Sequence, residues 1–267
     1  MRLSKFIYRE LRNITNISTT LDSHLAYQIF FPWFFVDRDG QTLRPHTVIT
    51  TEMIRGDQVR PNPAIVSWLP VPSYAWLVKQ TLYYCEELER TGKYTLYLWP
   101  PHCILGSEGH ALAGVIYEAR MFHSFVRLAQ SWVEAKGANP LTENYSVLRP
   151  EVQLSFNGDP LAQKNTDFIR RILQADSVII AGQAASHCVR SSVLDLLDEI
   201  NATNPELVEK VVILRDCMSA VAVPDDQGGF LSDFTPDAEA ALSRFQEAGM
   251  HVVDSTTPLE QWAWLKR

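Results

Sequence analysis

What most constrains this chain is an alternation: short β-branched runs followed by segments of helical period, repeated along most of its length. That rhythm specifies a parallel sheet covered by helices. Strands are expected near Ile14–Thr20, Tyr94–Leu98, Ser131–Ala135, Ser177–Ala181, Val211–Leu214 and His251–Val253. Amphipathic helices are expected between them. One starts after Ser73, carries Leu77, Thr81, Tyr84, Cys85 and Leu88 on one face, and stops at Gly92. A second carries Val115, Ala119, Phe122 and Val126, and a third Val189, Val193, Leu197 and Ile200. The last has Thr235 as N-cap, Pro236 at the first helical position and Gly249 just past its end. At 267 residues the whole chain reads as one α/β domain with a three-layer α/β/α arrangement and a mostly parallel sheet.

One stretch breaks the rhythm. Residues 32–72 hold six prolines and no sustained period, which reads as a long loop insertion. Its aromatic entry, Phe30, Phe31, Trp33, Phe34 and Phe35, is read chiefly as satellite core beneath the loop, with a substrate wall as the second reading. The formal charge of −7 argues against nucleic-acid and anionic-membrane surfaces. The longest apolar run, Ile29 to Val36, has eight residues with a proline inside, against the roughly 20 a bilayer span needs. The charged N-terminus lacks the apolar stretch of a signal peptide. Cys85, Cys103, Cys188 and Cys217 form no CxxC pair, which points to a reducing cytoplasm.

The sharpest chemical signal runs from Ser177 to Arg190, SVIIAGQAASHCVR. A buried strand passes through a turn of small residues into a helix that opens on Cys188. This puts a thiol at the carboxyl end of a parallel strand, where open α/β sheets build their sites. It also puts the sulfur at a helix N-terminus, which favours thiolate. Gly182, Ala184 and Ala185 clear space for backbone N–H groups to face a developing oxyanion. Cys85, mid-helix on an apolar face, reads as packing.

Three further segments end expected strands. Asp22 and His24 stand at i and i+2 and point to the same side of an extended chain. With His102, in Leu98-Trp-Pro-Pro-His-Cys, they form a candidate two-His, one-carboxylate set for Zn²⁺ or Fe²⁺. Lys136 follows Val133-Glu-Ala, and taken alone it reads as a solvated charge.

Together these segments resemble the isochorismatase-like cysteine hydrolases, on the nicotinamidase side of that superfamily. The matching elements appear in order: D-x-H (Asp22, His24), W-P-x-H-C (Trp99 to Cys103), K-G…Y-S (Lys136, Gly137, Tyr145, Ser146) and G-x-A-x-x-x-C-V (Gly182 to Val189). The resemblance covers about residues 14 to 253, with the long 32–72 insertion setting a subgroup apart. It implies a Rossmann-like sheet, Cys188 as nucleophile, and Lys136 as the cation that lowers its pKa. It implies a cis peptide at Gln183–Ala184 and an oxyanion hole formed by the N–H groups of Ala184 and Cys188. It implies a divalent metal on Asp22, His24 and His102, and Trp99 as a stacking wall, beside which core packing remains an equal reading. A small-molecule amide substrate, no organic cofactor and a homo-oligomer follow from the same likeness, and His187 is given a structural role.

The family's first strand carries an aspartate that serves as general base. Only 21 residues precede Asp22 here, and Lys5 to Ile14 read as helix. The expectation is therefore a sheet without that strand, two unpaired edges inside the fold, and impaired turnover. Neither Glu134 nor Glu143 is an obvious substitute. Two other functions stay open: a catalytically silent binding or assembly protein on this fold, and metal-free hydrolysis of the isochorismatase type.

Overall fold

The strand Val211–Leu214 shows how the layers form. All four residues are fully buried, as a parallel strand covered on both faces requires. Val211 and Ile213 join one apolar cluster with Phe168, Val193, Ile200 and Phe245, while Val212 and Leu214 join another with Phe6 and Trp262. Period-two alternation thus feeds two helical layers from one strand.

The computed structural model describes residues 1–91 and 94–265, so the predicted helix stop at Gly92 lies outside the described residues. The first part of the chain holds α1 (Arg2–Arg9), β1 (Ser18–Asp22), β2 (Phe35–Asp37), β3 (Val48–Ile49), α2 (Thr51–Arg55) and β4 (Val59–Pro61). Then come α3 (Tyr74–Thr91), β5 (Leu96–Tyr97), α4 (Gly114–Arg127), β6 (Trp132–Lys136), α5 (Thr166–Gln174) and β7 (Val178–Ile180). The remainder is α6 (Cys188–Thr203), β8 (Val211–Leu214), β9 (Ala222–Pro224), β10 (Phe230–Asp233), α7 (Thr235–Glu247) and β11 (His251–Val253).

The architecture is α/β with parallel pairing, but the sheet comes in two pieces. β1 pairs with β6 from Ser18↔Trp132 to Asp22↔Lys136, and β8 stands between β7 and β11. Among the described residues β1 and β7 each keep one unpaired edge. The side chains of β7 are correspondingly half-buried, unlike those of β8. No helix among the described residues is long and apolar enough to cross a membrane.

Five expectations need correction. β5 joins no parallel sheet; it pairs antiparallel with β3, because the preceding insertion folds back against it. Residues 32–72 are not a structureless loop, since β2 and β4 form an antiparallel pair and α2 lies between β3 and β4. Phe30, Phe31, Phe34 and Phe35 are fully buried within a principal core cluster that includes Leu77, Tyr84 and Leu88 of α3. α4 turns Ala119, Arg120 and His123 inward and leaves Val115, Phe122 and Val126 about half exposed. Its inward face is fixed by the His123 ring meeting the Ile14 carbonyl at 2.9 Å. The start of α7 shifts by one residue: Phe234 is the N-cap, and Asp233 accepts the Thr235 N–H.

Candidate active site

Three chain segments converge where the two pieces of sheet meet. The in-register pairing of Asp22 with Lys136 sets both side chains at the carboxyl ends of β1 and β6. Cys188 opens α6 after the turn that follows β7. The Lys136 Nζ donates to Cys188 Sγ at 3.5 Å and to the Asn144 carbonyl at 2.6 Å, and it forms an ion pair with the Asp22 carboxylate. A lysine side chain only 6% exposed needs such partners, since an unpaired buried ammonium is costly. The reading of Lys136 as a solvated charge is therefore wrong.

Electrostatics around the thiol run against the helix-end argument. Burial pushes the Cys188 thiol up, and although Lys136 pulls it down, the thiol settles at about 11. The expected depressed pKa is thus not the resting condition. Burial lowers Lys136 as well, but the Cys188 and Asp22 charges outweigh it and hold the ammonium above its ordinary range. Asp22 moves the other way: burial raises its carboxyl, and Lys136 more than offsets that and keeps it ionised.

The turn before the thiol has the expected form. Gln183–Ala184 is cis, Gly182 has φ +131°, and the Ala184 carbonyl accepts from the N–H groups of His187 and Val189. Among the described residues no backbone acceptor takes the N–H of Ala184 or of Cys188, so both can face an oxyanion. All four cysteines are free, and burial raises Cys85, whose position inside α3 suits packing.

The histidines stand beside this cluster. The His24 and His102 rings lie 5.0 Å apart, edge to face, with Phe30 at 4.9 Å from His24 and Phe31 at 5.7 Å from His102. His24 is held by ladder-like bonds to the Trp99–Cys103 segment, its N–H reaching the Cys103 carbonyl at 3.0 Å. Its Nδ1 lies 3.2 Å from the Gly137 carbonyl, and His102 Nδ1 lies 2.8 Å from the Pro100 carbonyl. Burial lowers His24 to about 4, so its imidazole is neutral near neutral pH. Two rings, each tied at Nδ1, leave two Nε2 atoms of the kind metals use. The third member of the set is withdrawn, because the Asp22 carboxylate is committed to Lys136. Among the described residues no three His, Cys, Asp or Glu side chains assemble into a metal-holding group. The predicted set of Asp22, His24 and His102 is therefore only partly brought together and does not fit a three-ligand site.

Gly137 shows why the K-G pair is local structure and not only a motif. Its φ is +83°, and a Cβ there would lie 2.7 Å from the His24 Cε1. Its carbonyl also accepts from the Gln28 Nε2 at 2.8 Å. Gln28 is fully buried and was invisible to sequence reasoning, since a lone glutamine carries no pattern.

Trp99 is fixed by its Nε1–H, which donates to the Tyr145 hydroxyl at 2.8 Å. Close by, Glu143 receives the Tyr94 hydroxyl at 3.4 Å, and burial raises its carboxyl well above the usual range. His187 bonds the Ser186 hydroxyl through Nδ1 and packs edge-on to Trp99 at 5.2 Å.

The nicotinamidase of Escherichia coli is 29% identical over 132 residues, which is 48% of this chain and 49% of that protein. The aligned span is thus about half the length of that curated relative. No family model matches the chain. The yeast nicotinamidase bound to the inhibitor nicotinaldehyde aligns with a TM-score of 0.53 at 17% identity, over 94% of this chain and 85% of that one. A nicotinamidase/pyrazinamidase of Acinetobacter baumanii aligns with a TM-score of 0.51 at 17% identity, over 96% and 86%. The chain has the fold of these nicotinamidases. At such identities the structural likeness establishes the fold alone, and the chemistry of the chain rests on the side chains described above.

Proposed function

We propose that the chain is a cysteine hydrolase that cleaves the amide C–N bond of a small molecule through a thioester acyl-enzyme. The observation that carries this reading is the Lys136 ammonium bridging the Cys188 sulfur and the Asp22 carboxylate at the N-terminus of α6. The names of the relatives support an amide of the nicotinamide kind as substrate. The acidic charge and free cysteines suit a cytoplasmic setting.

In this reading the buried Cys188 stays a thiol until substrate binds. Sγ attacks the carbonyl carbon while Lys136 balances the developing thiolate, and the N–H groups of Ala184 and Cys188 receive the oxyanion. Asp22, one ammonium away, is the carboxylate placed to take the thiol proton, a role that sequence reasoning assigned to no residue. The C–N bond breaks and ammonia leaves with that proton. Water then cleaves the thioester, releasing the acid and restoring the thiol.

The test is ammonia release from a panel of small carboxamides that includes nicotinamide. Wild-type turnover should disappear in Cys188→Ala and fall sharply in Lys136→Ala. A Cys188→Ala protein that retains full turnover would sink the assignment. Absence of any wild-type turnover across the panel would favour the silent binding protein.

A further inference from the structure

A cavity of about 390 Å³ opens beside the nucleophile's turn, bounded by β5, the start of α6 and the junction of β10 with α7. That is the lower end of the range for small-molecule sites and admits one substituted ring or a fused pair. Its wall is aromatic. Tyr97 lies 4.5 Å from Trp99, and His187 lies 4.7 Å from Phe234, measured between ring centroids. Burial lowers His187 to about 4, so this wall carries no charge near neutral pH. Trp99, Tyr145 and His187, the residue just before the nucleophile, line the cavity, while Cys188, Lys136 and Asp22 are not themselves part of its lining.

The opposite end is polar. Arg190, two residues after the nucleophile on α6, faces Asp237 of α7 with Nη1 and Oδ1 3.8 Å apart. That distance is too long for a hydrogen bond, so guanidinium donors and carboxylate lone pairs remain to engage a third group. Both side chains are partly exposed, at 34% and 49%, which puts the pair at the cavity's rim. On the same lining, the Tyr97 hydroxyl joins His46 Nδ1 at 2.8 Å to the Ser232 hydroxyl at 3.1 Å. An acceptor beside Arg190 and a donor beside Asp237 are offered together by a primary carboxamide, a ureido group or a lactam edge.

We propose that this cavity is a specificity subsite in which Arg190 and Asp237 select flat-ring ligands bearing a second amide-like group remote from the scissile one. The assignment of those ligands as substrates rests on the amidase reading above; their selective binding does not.

The probes are benzamide and benzene-1,4-dicarboxamide, which differ only in the second carboxamide. Calorimetric binding to the Cys188→Ala protein removes turnover from the comparison. The dicarboxamide should bind at least about tenfold more tightly, the size of one charge-assisted hydrogen bond. Adding Arg190→Ala or Asp237→Ala to that protein should shrink the ratio to about twofold or less. Equal binding of the two probes, or a ratio untouched by both rim variants, overturns the subsite. A rim-dependent preference in a protein whose wild type releases no ammonia supports the subsite and overturns the amidase reading instead.

Discussion

The two halves of the site share a carboxylate, and only one half has it. On the nucleophile side Lys136 is buried and holds Cys188, Asp22 and the Asn144 carbonyl. On the histidine side His24 and His102 face each other with their Nδ1 atoms tied to carbonyls, but Asp22 has turned to the lysine. Burial decides the competition. An ammonium 6% exposed requires a counter-charge, whereas the exposed His102 needs none. Sequence spacing placed Asp22 with the histidines, and the burial of Lys136 pairs it with the ammonium instead.

The largest expected effect belongs to the nucleophile. Cys188→Ala should lower amide turnover at least about a thousandfold, as loss of an attacking atom does; ammonia assays check it, and a small loss would break the assignment. Lys136→Met comes next. It leaves Asp22 without its buried partner and should cost about 3 kcal/mol of unfolding free energy, measured by urea titration. His102→Ala, on the exposed side, should change stability by less than about 0.5 kcal/mol. Equal costs for the two variants would erase the distinction between the halves.

The contrast also marks what the sequence made legible. The alternation of strands and helices foretold β1, β6, β7, β8 and β11, and it was clearest for β8, whose β-branched run is buried on both faces. The turn before Cys188 was equally readable, since small residues between a strand and a helix admit few conformations. The burial of Lys136, its hold on Asp22 and the raised thiol were not, because each depends on residues distant in sequence enclosing one spot. The pairing of β5 with β3 was missed for a similar reason: two-residue strands carry almost no pattern.

A pH titration of stability sharpens the account of the aromatic wall. Burial holds His187 at about 4 in the folded chain against the ordinary 6.5. A depressed histidine contributes stability that is full above its unfolded pKa and is lost as pH falls toward the folded one. The wild type should therefore weaken between about pH 6.5 and 4, by roughly 3 kcal/mol for this group. His24 titrates in the same window, so His187→Phe should reduce the acid loss by about half and not abolish it. Urea midpoints at several pH values measure this, and an unaltered acid slope in the variant would contradict it. Gly137→Ala should have a smaller effect, about 1–2 kcal/mol from the left-handed backbone and the crowded His24 ring.

The central claim is that Lys136 governs a buried thiol at position 188. Its most direct test is the pH dependence of Cys188 alkylation by iodoacetamide, read by peptide mass spectrometry in the wild type and in Lys136→Met. The wild-type midpoint should lie near pH 11, and it should move higher when the ammonium is removed. A midpoint that stays in place or falls in the variant would contradict the pairing of Lys136 with Cys188.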